Sequence, residues 1–290
     1  MPWLQFKIDS DRNQAEAIED LMLATGAVSV TLQDNADQPI LEPALGETPL
    51  WQETRVTGLY EATVDTEAIA KNFSQQNVTG RWEQLEDKDW EREWMKNYHP
   101  IKCADNFWIC PSWIEPPEPE AINLMLDPGL AFGTGTHPTT FLCLQWLAQQ
   151  DIEKQSVIDY GCGSGILAIG ALLKGADSAI GVDIDPQALI ATRENTERNH
   201  LPKDSITVFL PNKCPQEPAD LMLANILAGP LAELAPSLSS LTKLGGKLCL
   251  SGILHNQAEV VMQAYRPWFN FAEPQQREEW VCLTATKVKD

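Results

Sequence analysis

The sequence is short of basic residues, of paired cysteines and of long apolar runs, and each shortage excludes a class of protein. Lys and Arg number 21 against 41 Asp and Glu, a net charge of −20. Proteins that embrace a nucleic-acid backbone spend Lys and Arg on phosphates, so direct nucleic-acid binding is not expected. The seven cysteines (103, 110, 143, 162, 214, 249 and 282) are dispersed, with no C-x-x-C pair. That pattern predicts reduced thiols and argues against a zinc site or a disulfide framework, so no metal is expected. No apolar run approaches the ~20 residues of a membrane span. Met1-Pro-Trp-Leu-Gln-Phe-Lys-Ile-Asp9 lacks the charged-then-apolar order of a signal peptide and already looks like a strand. The expectation is a cytoplasmic protein with no membrane contact.

What is present points to two domains. A chain of 290 residues with 43% hydrophobic content can bury two real cores. The acid excess is concentrated at the front, where residues 1–100 hold 19 acids and 8 bases, a balance of −11. Such a field confers solubility or attracts a basic partner, and charge alone does not choose between them.

The first ~85 residues alternate strand-like and helix-like segments. Strands are predicted at Trp3–Ile8, Ala27–Leu32, Arg55–Ala62 and Arg81–Leu85. One helix is predicted over Asn13–Thr25, with Ala17, Leu21 and Ala24 on one face and Gly26 as its stop; another over Thr66–Gln75 has Ile69 and Phe73 together. The order β-α-β-β-α-β fits a small ferredoxin-like α+β domain. Asp87 to Tyr98 reads as a charged connecting helix with Trp90 and Trp94 one turn apart. Residues 99–126 read as strands around the break Pro116-Pro117-Glu118-Pro119. From about residue 127, strands and helices alternate as a parallel sheet requires. Strands fall at Ser156–Ile158, Ala179–Val182, Ser205–Phe209, Leu221–Ala224 and Lys247–Ser251, with a late one at Glu279–Ala285.

Three segments carry chemistry. In the first, Val157-Ile-Asp-Tyr-Gly-Cys-Gly-Ser-Gly165, an apolar strand ends in Asp159 and glycines at 161, 163 and 165. A helix-forming run follows, then a second strand that ends in Asp183. This layout puts a nucleoside cofactor at the carboxyl edge of a parallel sheet. A dinucleotide fingerprint wants G-x-G-x-x-G, whereas position 166 here is isoleucine. The G-x-G-x-G form, with Asp two residues before it, resembles the first motif of class I S-adenosylmethionine-dependent methyltransferases. The glycines let the backbone pass close to a ligand, and Asp183 is placed to accept both ribose hydroxyls.

The second segment is Asp127-Pro-Gly-Leu-Ala-Phe-Gly-Thr-Gly-Thr-His-Pro-Thr-Thr140. Pro138 suits the first position of a helix, with Thr136 or His137 near its cap and Thr139–Thr140 in its first turn. Amides and hydroxyls there can meet a cofactor's polar end; His137, preceding proline, reads as structural. In the third, Asp220-Leu-Met-Leu-Ala-Asn225-Ile-Leu-Ala-Gly-Pro230, a buried strand ends in Asn225 at the sheet edge. Enzymes that methylate planar amino groups often have Pro-Pro-Tyr or Pro-Pro-Phe after this Asn. Ile226-Leu227-Ala228 stands there instead, which disfavours a flat base and leaves an sp³ amine.

Together these segments, with Gly181-Val-Asp-Ile-Asp-Pro186 and the tail motif Glu278-Glu-Trp280, closely resemble the bacterial methyltransferases of large-subunit ribosomal protein eleven (protein-methyltransferase A). The resemblance implies a class I (Rossmann-like) α/β methyltransferase domain over 101–290. It implies a substrate-recognition domain over 1–86 and a linker helix over 87–100. S-adenosylmethionine is the implied cofactor, with contacts at Thr140, Gly161, Gly163, Asp183 and Asn225. Asn225 is the expected catalytic residue, orienting the amine. The implied substrate is free or unassembled ribosomal protein eleven, methylated on its N-terminal α-amine and lysine ε-amines by a monomeric enzyme. The alternative is methylation of another amine, in a small molecule or a nucleic acid. A non-catalytic cofactor-binding scaffold fits the intact motifs poorly, and a nicotinamide oxidoreductase fails on glycine spacing.

Overall fold

The computed structural model describes residues 3–41, 43, 46–85, 98–129 and 132–290. The chain divides into two compact units, Met1–Lys96 and Asn97–Asp290.

In the first unit, β1 (Trp3–Asp11), α1 (Arg12–Ala24), β2 (Ser29–Asp34), β3 (Glu53–Glu61), α2 (Thr66–Ser74) and β4 (Arg81–Leu85) follow in order. The four strands form an antiparallel sheet in the order β2-β3-β1-β4, a ferredoxin-like arrangement. Both helices start at an aspartate whose side chain accepts a backbone N–H, Asp11 from Asn13 and Asp65 from Ala68. The buried face of α1 is Ala15, Ile18 and Met22, whereas Ala17 and Ala24 are exposed. The spacing argument chose the wrong stripe there. Small alanines fit either face, and the larger Ile18 and Met22 gain more by burial. On α2, Ile69 and Phe73 are both buried. Trp82 packs on Phe6 and Tyr60, with ring centroids 4.6 and 5.2 Å away, so this tryptophan serves the core. Of the linker helix expected over 87–100, residues 87–97, with Trp90 and Trp94, lie outside the described residues; 98–100 have no regular structure.

The second unit opens with a small sheet of β5 (Ile101–Ala104), β6 (Phe107–Cys110) and β7 (Ile122–Met125). The main sheet contains β8 (Ser156–Tyr160), β9 (Ser178–Val182), β10 (Ile206–Phe209), β11 (Ala219–Asn225), β12 (Thr242–Leu254), β13 (Phe269–Phe271), β14 (Gln275–Arg277) and β15 (Trp280–Lys287). Its order is β10-β9-β8-β11-β12-β15-β13, with β14 paired to β15. Strands β8 to β12 run parallel, and β15 is antiparallel to both β12 and β13. Among the described residues five α-helices accompany it: α3 (Pro138–Ala148), α4 (Ile166–Leu173), α5 (Pro186–Arg198), α6 (Ala228–Ser240) and α7 (Ala258–Tyr265).

Alternation along the strands builds two cores. Val157, Leu221, Leu223 and Cys249 face one side with α3 and α4; Ile158, Met222, Ala224, Leu248 and Leu250 face the other with α6 and α7. The chain direction across the sheet reverses between β8 and β11, because β8 leads to β9 on one side and β11 lies on the other. The carboxyl ends of β8, β9 and β11 therefore flank a topological switch point, where open α/β sheets bind ligands.

Candidate active site

Three segments meet at that edge. The turn after β8 carries Gly161 and Gly163 at φ +84° and +53°, a region that L side chains rarely adopt. A Cβ at Gly161 would stand 2.1 Å from Ile226 Cγ2, and one at Gly163 would stand 2.6 Å from the Phe132 carbonyl oxygen. The glycines make room for the protein itself: the turn presses against the segment after β11 on one side and the glycine–threonine loop on the other.

Asp183, just past β9, is held by that turn. Its Oδ2 accepts the Gly163 N–H at 2.9 Å, and its Oδ1 accepts the Asp185 N–H at 3.0 Å. Both oxygens are thereby fixed while each retains a lone pair for another donor. Ile184, next along, is 83% exposed and sets an apolar surface beside the acid. Asp185 caps α5 by accepting the Gln187 N–H.

The loop before α3 is tied down by many bonds. Ser164 Oγ donates to the Gly133 carbonyl at 2.7 Å, and the Ser164 N–H donates to Phe132 O. From α5, Thr192 Oγ1 donates to Gly163 O and Asn195 Nδ2 donates to Ser164 O, so one helix fastens the turn. Between loop and α5 lies a cavity of about 300 Å³ lined by Gly133, Thr134, Ser164, Gln187, Asn195 and Arg198; Asp183 and Asn225 are not part of its lining.

His137 is the N-cap of α3, and its Nδ1 accepts the Thr139 N–H. Nδ1 also lies 2.8 Å from Thr139 Oγ1. Its ring packs edge-on against Trp280 at 4.9 Å and lies 5.7 Å from Phe132, which is 60% exposed. Burial lowers the histidine's pKa, with Glu278 partly opposing. A ring already engaged as a cap matches the structural role the sequence assigned. Trp280 and Phe132 were not singled out as site residues. The tail motif was the available signal for Trp280, and nothing in the sequence distinguishes Phe132 from a packing residue.

Thr140, fully buried in the first turn of α3, accepts from Asn225 Nδ2 at 3.2 Å, so the loop segment and the strand segment converge side by side. Asn225 Oδ1 is buried with no partner. Asp159 Oδ1, near the carboxyl end of β8, is likewise an orphan; its Oδ2 accepts the Ala168 N–H at 3.1 Å. Burial pushes the Asp159 carboxyl up to about 7, against the opposing pull of that amide. Among the described residues five buried side-chain polar atoms lack partners, and two of them are these acceptors on neighbouring strands of one edge. Buried acceptors without donors cost stability unless a ligand supplies an N–H or O–H.

The segment after Asn225 is shaped from both flanks. Ile226 lies against Gly161 on one side, and its backbone lies against Gly252, at φ +82°, where a Cβ would be 2.3 Å from Ile226 O. Gly252 belongs to an irregularity in β12, whose pairing with β15 shifts between Leu250 and Ile253. A glycine inside an apolar strand is the sign of such a bulge, and the sequence reading passed over it.

A doubly wound sheet with a glycine turn, a carboxylate just past the next strand and an asparagine at the same edge has the architecture of a class I methyltransferase. A family model described as "Ribosomal protein L11 methyltransferase (PrmA)" matches residues 2–288, and the chain belongs to that family. A relative from Cellvibrio japonicus named "Ribosomal protein L11 methyltransferase" is 65% identical, with 100% of each chain covered. One of the same name from Teredinibacter turnerae is 61% identical over 99% of this chain and 97% of its own. A crystal structure of "ribosomal protein L11 methylase" from Lactobacillus delbrueckii subsp. bulgaricus is 31% identical, with a TM-score of 0.61. It covers 66% of this chain and 100% of that one.

Proposed function

We propose that this chain methylates the N-terminal α-amine and lysine ε-amines of ribosomal protein L11, the substrate named for its relatives, with S-adenosylmethionine as methyl donor. The observation that carries the reading is the gathering of Asp183, Thr140 and two orphan acceptors at one edge, in a chain matched over nearly its whole length. When bound, S-adenosylmethionine supplies an electrophilic methyl group on a sulfonium.

The residues divide the work. Asp183 offers its remaining lone pairs to the ribose hydroxyls. Thr140 accepts from Asn225 and keeps its own O–H to donate to the donor's carboxylate. Gly161 and Gly163 shape the turn that holds Asp183. Asn225 Oδ1 accepts an N–H of the incoming amine and turns its lone pair toward the methyl carbon, which is positional catalysis. The amine must arrive neutral. For a lysine of reference pKa near 10.4 that costs roughly 4–5 kcal/mol at pH 7, and an α-amine near 8 costs much less. Exclusion of water around the bound amine disfavours the ammonium form and recovers part of that cost.

In this reading residues 1–86 hold the substrate, 87–100 link, and 101–290 carry the chemistry. The front excess of acid suits a basic protein partner and opposes nucleic acid. Among the described residues no helix is long and apolar enough to cross a membrane, and we place the enzyme in the cytoplasm as a monomer. The test is intact-mass spectrometry of L11 incubated with enzyme and S-adenosylmethionine. Mass steps of one methyl are expected, and Asp183→Ala should weaken cofactor affinity about 100-fold through two lost hydrogen bonds. An unchanged L11 mass, with cofactor binding intact by calorimetry, would redirect the assignment to another amine.

A further inference from the structure

Cysteines that stand far apart in the sequence come together in the fold. Cys143 on α3, Cys249 on β12 and Cys282 on β15 are all buried, and their sulfurs lie within 4.8 Å of one another. The Cys249 and Cys282 sulfurs are 3.4 Å apart. The cluster lies beneath the proposed site. Cys143 is three residues past Thr140, one turn along the same helix face. Cys249 precedes Ser251 by two residues on the same strand face, and Ser251 pairs with Asn225 across β12 and β11.

We propose that Cys143, Cys249 and Cys282 form a three-sulfur site for a soft monovalent cation, copper(I), whose loading disturbs the Thr140–Asn225 pair. A cation bonded to three thiolates at ~2.3 Å places the sulfurs about 4 Å apart, within the spread observed. Thiolates select copper(I) and zinc, but structural zinc wants four ligands. Among the described residues no His, Asp or Glu joins this group to supply a fourth. Each thiol that ligates gives up its proton to solvent. Holding three sulfurs about 4 Å apart on one ion forces Cys249 and Cys282, now 3.4 Å apart, to separate, and the adjustment reaches the pair through Cys143, one turn from Thr140, and through β12, which pairs with Asn225. Burial keeps these sulfurs from direct attack, so the ion enters through local opening of the fold.

The test is titration of the intact, reduced protein with copper(I) against a chromogenic chelator, with X-ray absorption on the loaded sample. One copper per chain with three sulfur neighbours is expected; nitrogen or oxygen neighbours, or no binding to folded protein, would overturn the site. Loss of an outer-shell partner costs a metal site 10–100-fold, so Cys143→Ala, Cys249→Ala or Cys282→Ser should each weaken binding by more than about 100-fold. Cys214→Ala, away from the cluster, should leave it unchanged; equal weakening in all four would also overturn the site. Calorimetric melting and S-adenosylmethionine binding check that each variant is folded, and the wild-type absorption result stands without them. Copper should slow methyl transfer in the wild type and not in Cys282→Ser. That arm alone rests on the roles proposed for Thr140 and Asn225: full activity in copper-loaded protein would overturn the coupling, while the binding data judge the site itself.

Discussion

At the amino-terminal edge of the main sheet, Asp220 on β11 accepts from the Ser156 amide and hydroxyl and from Lys243, at 2.9, 2.7 and 2.8 Å. Burial tends to raise its carboxyl, but Lys243 and Ser156 outweigh it and hold the pKa down to about 2. At the opposite edge of the neighbouring strand, Asp159 has one oxygen satisfied and one orphaned, and burial pushes it up to about 7. The same pair of strands therefore ends in a finished polar cluster on one side and an unfinished one on the other. Incomplete satisfaction is costly to the free protein and is retained where a ligand completes it. The difference separates a carboxylate whose partners are complete from one that has an unpartnered oxygen.

Substitutions at the two edges should part accordingly. The largest effect is expected at Asn225: Asn225→Ala should lower kcat for L11 methylation by about 10²–10³, the usual cost of removing one positioned polar group, with melting temperature little changed. Steady-state kinetics beside calorimetry check this, and a kcat within twofold of wild type would place the amine elsewhere. Next is Asp159→Asn. A carboxyl whose folded pKa lies above its unfolded value is protonated more in the folded state, so its cost to stability grows as pH rises from about 4 to about 7. The asparagine variant should be more stable than wild type at pH 8, by on the order of 2–4 kcal/mol, and equal to it at pH 4. Urea unfolding at the two pH values reads this directly, and a variant no more stable at pH 8 would break the contrast.

The smallest effect is at Asp220. Its folded pKa is depressed, so its contribution is present above about pH 4 and is lost as pH falls through about 2. With the carboxylate about a third exposed, solvent screening reduces that contribution to about 1 kcal/mol. Asp220→Asn should be less stable than wild type at pH 6, the two curves should converge near pH 2, and kcat should not change. A fall in kcat would show that the two edges are not independent.

How much of this was legible beforehand follows from what each element depends on. Strands β8, β9 and β11 are dense apolar runs that end in a polar residue, and such runs read directly from sequence. The site acids and Asn225 sit at those ends, so their gathering at one edge follows from topology. Helix α1 misled because its alanines fit either stripe, and only packing chose Ile18 and Met22. The Ile226 wedge was hidden because it joins the turn after β8, the residue after β11 and a bulge inside β12, and only the glycine of that bulge leaves a sign in the sequence. The cysteine cluster was hidden for the same reason: spacing in the chain says nothing about sulfurs that meet across a helix and two strands.

The place of β15 has a consequence for synthesis. It follows every other described strand in the sequence, yet it lies inside the sheet between β12 and β13 and begins with Trp280, the ring against His137. Until Lys287 has emerged from the ribosome, β12 has an open edge and the loop before α3 has no tryptophan to rest on. A nascent chain can fold its front unit early while its catalytic unit stays unfinished. Competence for methyl transfer then waits on β15, whose pairing with β12 and β13 completes the sheet.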